Sequence, residues 1–203
     1  MTVCGSADER VVLCGPDGEV VGTRPKRYVH HGHTPLHLAF SCYLFDEAGR
    51  FLLTRRAYTK HTWPGVVTNS CCGHPAPDEP LESAIERRTR EELGISPIDL
   101  TLVLPTFSYR ATMADGTVEN ELCPVFTALA SPTTPTPNPD EVDSAEWLQW
   151  TTFTADVLTG ERQVSPWCAL QVAELVLLGP DPLRWPAADA SQLPAAAPRM
   201  ARP

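Results

Sequence analysis

No apolar run in this chain approaches the roughly 18 residues that a membrane-spanning helix requires. The opening stretch, Met1 to Arg10, is small and polar and lacks the apolar core of a secretion signal. There is no CxxC pair among the seven cysteines (4, 14, 42, 71, 72, 123 and 168), so a zinc-finger reading is weak. An odd number of thiols, in a chain too long to need covalent staples, reads as a reduced set in a cytoplasmic protein. Most of these thiols are then small buried hydrophobes. Positive charge is also scarce. Sixteen Lys and Arg against 25 Asp and Glu leave −9, which argues against general nucleic-acid or anionic-membrane binding. A small anionic substrate stays open wherever bases cluster locally or a divalent metal bridges.

What is present fits one domain. Of 203 residues, 42% are hydrophobic, enough to bury a real core. Val11 to Leu13, Pro16-Asp17-Gly18 and Glu19 to Val21 read as a hairpin. Leu38 to Phe45 reads as a buried strand, and Asp46-Glu47-Ala48-Gly49 turns it into a second, Phe51 to Thr54. Asp78 to Gly94 is the clearest helix, with Asp78 as cap, Leu81, Ala84 and Ile85 as apolar stripe and Gly94 as stop. Leu100 to Leu104, Thr106 to Thr112, Thr117 to Ala128 and Glu146 to Leu148 read as strands, and the proline-dense 131–139 as a loop. Ser165-Pro166 opens a last helix, through Leu178. Strands outnumber helices, so the expected class is α+β: a sheet core flanked by helices, in a domain spanning 1–178. The Pro/Ala-rich residues 179–203 lack a periodic face and are expected to be disordered.

Several residues could carry chemistry. Glu119 and Glu121 share one face of a strand, where two carboxylates repel unless a cation or proton lies between them. A solvated strand face would give the same spacing. His30 and His37 straddle a loop-to-strand junction, and His74 lies two residues from Cys72. Each imidazole alone is more often a plain surface or core residue. Together with the two glutamates they would make a five-ligand site for Zn, Mn or Fe. Cys72 is the best thiol candidate, between Asn69-Ser70 and Gly73, where a flexible backbone could expose it; a buried structural cysteine is the alternative. Glu92, near its helix end, is a candidate Mg²⁺ ligand. The basic residues Lys26, Arg27, Arg55, Arg56 and Lys60 could grip a phosphate ester or be ordinary surface charge.

In order along the chain stand His37-Leu38-Ala39-Phe40, Thr54-Arg55-Arg56-Ala57, Trp63-Pro64-Gly65, Thr68-Asn69-Ser70-Cys71-Cys72-Gly73-His74-Pro75, Tyr109-Arg110-Ala111, Glu119-Asn120-Glu121 and Ser165-Pro166-Trp167. This set resembles the type I isopentenyl-diphosphate isomerases of the Nudix superfamily, over about 26–167. The Nudix signature is G-x5-E-x7-R-E-U-x-E-E-x-G-U, with U aliphatic. Gly73, Glu79, Arg87, Glu91, Glu92, Gly94 and Ile95 fit it, whereas Arg88 replaces a Glu and Thr89 an aliphatic residue. A Nudix hydrolase uses that Glu to hold catalytic metal, so the departure speaks against diphosphate hydrolysis.

The resemblance implies a Nudix-like fold and an isomerase that protonates an alkene, forms a tertiary carbocation and removes a neighbouring proton. It implies Cys72 and Glu121 as the proton-transfer pair, Tyr109 supporting Glu121, and Trp167 presenting its π face to the cation. It further implies one metal, Zn²⁺ or Mn²⁺, held by His30, His37, His74, Glu119 and Glu121. A Mg²⁺ would take Glu92 and the Cys72 carbonyl, and Lys26, Arg56, Lys60 and Arg88 would neutralise the phosphates. The partner would be a small isoprenoid diphosphate, with no nucleic acid or membrane, and the chain a monomer. The competing readings are a diverged Nudix hydrolase and a binding module in which the metal is purely structural.

Overall fold

The computed structural model describes residues 9–198. Two sheets form the core. The first has the order β2 (Val20–Pro25), β1 (Arg10–Cys14), β3 (His37–Leu38), β10 (Val118–Leu122), β9 (Ser108–Thr112). The second runs β12 (Val142–Gln149), β5 (Arg50–Arg56), β4 (Phe40–Phe45), β11 (Val125–Ser131), β8 (Ser96–Leu104), with β6 (Val67–Thr68) on β5 and β7 (Cys71–Gly73) on β4. Three helices pack on these sheets: α1 (Leu81–Leu93), α2 (Trp150–Leu158) and α3 (Pro166–Leu175).

The expected strand Leu38 to Phe45 is two strands in two sheets, because the chain passes from β3 to β4 at Ala39. The expected strand Thr117 to Ala128 breaks in the same way between β10 and β11, where Pro124 has no N–H to give. These two crossings run side by side. β3 is parallel to β10 and β4 to β11. Ala39 N donates to Leu122 O at 2.8 Å and Ser41 N to Pro124 O at 3.1 Å, so the sheets are joined at one seam.

β4 (FSCYLF) is buried at every position, the pattern of a strand covered on both faces. Its alternation divides the core in two. Phe40, Cys42 and Leu44 join Leu81, Ala84, Ile85 and Leu93 of α1. Tyr43 and Phe45 join Trp150, Phe153, Trp167 and Val172 of α2 and α3.

α1 is not capped by Asp78. Its N-cap is Pro80 with no side-chain cap bond, and Asp78 lies outside the helix with φ 65°. Gly94 closes it at φ 66°, as a left-handed C-cap requires. α1 lies so close to β7 that a Cβ on Gly73 would meet Phe40 Cζ at 3.0 Å and Arg88 Cγ at 3.1 Å. α2 was not expected: Thr151, Thr152, Thr154 and Val157 are poor helix formers, and burial of Trp150 and Phe153 overrides them. The last helix matches its expected start, with Ser165 Oγ accepting from Cys168 N and Pro166 in the first turn, and continues as a 3₁₀ turn over Val176–Leu178.

The expectation of a disordered tail does not hold for residues 179–198, which pack on the domain in short 3₁₀ turns. Trp185 meets Trp150 at 5.3 Å and Phe45 at 6.0 Å between ring centroids, and Ala196 and Ala197 enter the α1-side core. Packing here needs no periodic face: one tryptophan and two small residues fill gaps that the sheets leave open. Residues 199–203 lie outside the described range.

Candidate active site and metal centre

Four predicted ligands converge. His30, just after a 3₁₀ turn (Lys26–Tyr28), His37 on β3, His74 just after β7 and Glu121 on β10 bring their donor atoms within 4.8 Å of one another. The three imidazole centroids are 5.1 to 5.7 Å apart. His37 and Glu121 are paired in register on parallel strands. His37 Nδ1 lies 2.9 Å from Pro35 O, which assigns the proton to Nδ1 and leaves the Nε2 lone pair facing inward. His30 Nε2 and His37 Nε2 are buried without a hydrogen-bond partner. Burial, with the charges of His74 and His37, pushes His30 down to about 3, and burial lowers His74 to about 4, so both rings are neutral near pH 7. Burial alone would raise Glu121, but His74 Nε2 at 3.2 Å and the His37 ring at 3.4 Å from its Oε1 hold it well below the usual carboxylate range. The Glu121 carboxylate shifts His37 the opposite way, upward. Three imidazoles and one carboxylate gathered this closely fit a divalent metal.

Glu119 is not among these four. Its Oε2 accepts from Tyr109 Oη at 2.8 Å. Tyr109 was expected to support Glu121, its register partner across β9 and β10, but the phenol reaches diagonally to Glu119 instead. Burial, reinforced by the Glu121 charge, pushes the Glu119 carboxyl up to about 7.

The two adjacent cysteines separate onto opposite faces of β7. Cys71 belongs to the α1-side core, whereas Cys72 packs on the α3 side. Cys72 Sγ lies 3.1 Å from Asn69 Oδ1 and 3.3 Å from Ser41 Oγ, its register partner on β4. Burial pushes its thiol up to about 12, so it is protonated at neutral pH. Flexibility does not expose it: Asn69 and Ser70 are buried, and Ser70 Oγ bridges Leu44 N and Leu52 O. Trp167 comes from the first turn of α3. Its ring centroid is 5.7 Å from Tyr109 and 5.6 Å from Trp63, and its Nε1 donates to the same Asn69 oxygen at 3.1 Å.

The predicted phosphate-binding bases are also grouped. Glu141 accepts from Lys60 and pairs with Arg88 at 3.2 Å, and its carboxyl is lowered because Arg88, Lys60 and Lys26 outweigh its burial. Lys26 pairs with Glu9 at 3.0 Å, and Arg88 Nε donates to Glu92 at 3.1 Å. Arg56 donates to Thr62 O at 3.0 Å and keeps a buried, unpartnered Nε. Arg56, Asn69, Cys72, Glu92 and Glu141 line one small cleft. Arg27 instead stacks over Tyr28, and Arg55 donates to Gly65 O at 2.8 Å. Sequence reasoning missed Ser41, Asn69, Glu9 and Glu141 as members of this neighbourhood. Asn69 alone carried a signal, through its place in the Thr68–His74 segment.

A mixed two-sheet core with α1 running out of the Gly73 loop, and a metal-type cluster beside it, defines a NUDIX domain, and the family profile described as NUDIX domain matches residues 35–168. The chain belongs to that family and, within it, to the isopentenyl-diphosphate Delta-isomerases. It is 57% identical to the isopentenyl-diphosphate Delta-isomerase of Saccharopolyspora erythraea, over 93% of this chain and 97% of the relative. The Rhizobium rhizogenes enzyme of the same name is 53% identical, over 93% and 90%. Among solved structures, DR0079 from Deinococcus radiodurans shares the fold with a TM-score of 0.60 at 25% identity, covering 82% of this chain and 98% of that one. A MutT NUDIX hydrolase from Burkholderia pseudomallei gives 0.52 at 21%, covering 69% and 98%, which speaks for the fold alone.

Proposed function

We propose that Cys72 and Glu121 are the two proton-transfer groups of this isomerase, with Trp167 between them facing the cation. The chain interconverts isopentenyl and dimethylallyl diphosphate, as its close relatives do by name. In the forward direction the Cys72 S–H gives its proton to the terminal alkene carbon. A new C–H bond forms, sulfur keeps the S–H electron pair, and the neighbouring carbon becomes a tertiary cation. A Glu121 oxygen then takes a proton from the next carbon, whose C–H pair becomes the new double bond. An unactivated alkene is a poor base, so water must be kept from the cation; Trp167, Trp63 and Tyr109 supply an aromatic wall.

One observation carries this reading. Trp167 touches both halves of the site: its Nε1 shares the Asn69 oxygen with the Cys72 thiol, and its ring lies against Tyr109, the register partner of Glu121 across β9 and β10. His30, His37, His74 and Glu121, with Glu119 beside them, would hold Mn²⁺ or Zn²⁺, whose charge would fix the Glu121 carboxylate. Glu92 and the Cys72 carbonyl would hold a Mg²⁺, which would supply positive charge to the diphosphate. Lys26, Arg56, Lys60 and Arg88 would bind the remaining anionic charge. Among the described residues no helix is long and apolar enough to cross a membrane. We infer a cytoplasmic monomer that takes its substrate from solution.

The test is incubation with isopentenyl diphosphate and Mg²⁺ in D₂O. Dimethylallyl diphosphate carrying deuterium is expected. Phosphate release without isomer would mean a hydrolase, and neither product nor exchange would mean a binding module.

A further inference from the structure

We propose that Asn69 is a positioning residue, which sets the Cys72 sulfur and the Trp167 ring relative to each other through one shared carbonyl oxygen. The inference rests on the roles given above to Cys72 and Trp167. Asn69 sits in the two-residue link between β6 and β7 and is fully buried. Its Oδ1 faces Cys72 Sγ at 3.1 Å, Trp167 Nε1 at 3.1 Å and Thr68 Oγ1 at 3.0 Å. Its Nδ2 donates to Cys71 O at 3.1 Å and Cys42 O at 3.3 Å.

The orientation of this amide is dictated by chemistry. An indole N–H can only donate, so the atom facing Trp167 must be the oxygen. The two backbone carbonyls on the other side can only accept, which demands the NH₂ there. Both ends agree, and a flip would break both. Five partners leave the side chain no second rotamer, so the oxygen is a fixed point. Cys72 comes to it from β7 and Trp167 from α3, two elements with no shared ladder. Ser41 holds the sulfur from the other side at 3.3 Å, and Gln171 Nε2 in turn donates to Ser41 Oγ at 2.8 Å.

Without the carbonyl, the indole N–H loses its buried acceptor and the sulfur keeps only Ser41. The ring and the thiol then move independently, and a misplacement of about 1 Å costs on the order of 10²-fold in rate. The grip of Lys26, Lys60 and Arg88 on the diphosphate is untouched, because these three are held by Glu9, Glu141 and Glu92. The loss therefore falls on kcat and not on KM.

The experiment compares Asn69→Ala, Asn69→Asp, Trp167→Phe, Cys72→Ala and the Asn69→Ala/Trp167→Phe double variant, all as full-length, metal-loaded enzyme. Asn69→Ala should lower kcat on the order of 10²-fold with KM little changed. Asn69→Asp keeps the acceptor oxygen but loses the NH₂ that the Cys42 and Cys71 carbonyls require, so it should lower kcat as well, again with KM little changed. Trp167→Phe removes the donated N–H, so the double variant should lose far less than the product of the two single losses. Unchanged kcat in Asn69→Ala, an effect on KM alone, or full additivity would each overturn the inference. If neither Asn69 variant folds, the unmodified chain decides by ¹⁵N-indole NMR. A slowly exchanging Trp167 indole proton, slower than that of the unpartnered Trp63, supports it; a fast one overturns it. Retained turnover in Cys72→Ala would sink the thiol assignment itself. Lost turnover there with normal Asn69→Ala would sink only the role of Asn69.

Discussion

Ser41 and Cys72 face each other across the β4–β7 ladder, with 3.3 Å between hydroxyl oxygen and thiol sulfur. The neighbouring pair, Cys42 and Cys71, points into the opposite core. Backbone alternation thus assigns two adjacent thiols to two different environments. Cys72→Ala should lower turnover by about 10²–10⁴-fold, the usual worth of a positioned acid or base, with the fold intact by circular dichroism. Cys71→Ala should cost on the order of 1 kcal/mol in urea unfolding and leave most activity. A comparable loss of activity in both would mean that the thiol has been chosen wrongly.

The metal cluster makes a prediction that needs no substrate. His37 is held in its tautomer by Pro35 O and presents Nε2 to the centre. His37→Ala should lower the metal bound per chain, measured by elemental analysis after dialysis, with affinity falling at least about tenfold. Metal content equal to that of the unaltered chain would separate these histidines from metal binding.

Gly73 is where α1 meets β7. Gly73→Ala should destabilise the fold by about 1–3 kcal/mol, because the new methyl has only Phe40 and the Arg88 stem to displace. Its KM should rise as well, since Arg88 moves with the helix face. An unaltered melting temperature together with an unaltered KM would contradict this close approach.

Glu79 gives a pH-dependent prediction. Burial would raise its carboxyl, but hydrogen bonds from Arg87 and Ala76 N outweigh that and lower it. The folded value therefore lies below the unfolded one, near 4.3. Its contribution to stability is fully present above that value and is lost as pH falls through the folded value. Glu79→Gln should lower stability at pH 7 and flatten the loss between pH 5 and the acid limit, in about that window. Parallel stability curves for the two proteins across this range would refute it.

The C-terminal segment should be structural. Trp185 stacks edge-on against Trp150 and Phe45, and Trp185→Ala should cost about 3–5 kcal/mol. Truncation after Gly179 should lower the melting temperature further. A truncated chain as stable as the full one would restore the idea of a passive tail.

Much of the site was readable as residue types, less as geometry. Period-two spacing put Glu119 and Glu121 on one face, and the family pattern supplied His30, His37 and His74. Which glutamate joins the histidines depends on how far a tyrosine ring reaches across β9 and β10, and sequence spacing carries no such length. Glu9 and Glu141 were invisible because they meet the basic residues from distant loops. Asn69 read as a turn former, since Asn favours loops; only the structure shows its amide fully occupied. In the fold, strong β patterns and a Ser-Pro helix start were legible. α2 was not, because its threonines argue locally for strand and the aromatic core decides otherwise. The tail failed for the same reason: composition measures what a segment could do alone, not what gap it fills.

The seam where β3 passes into β4 and β10 into β11 has a consequence for tolerance to change. His37 and Glu121 lie on one sheet, Ser41 and Cys72 on the other, and two backbone hydrogen bonds fix the offset between them. The offset between the strands that carry the proposed acid and base is therefore a dimension of the main chain, set by backbone hydrogen bonds rather than by helix packing. Side-chain changes in either core can loosen the protein without moving that backbone offset. One residue inserted between positions 38 and 40, or between 122 and 125, would do the reverse. It would slip a register, turn a whole face over and part the two reacting groups while leaving a folded domain.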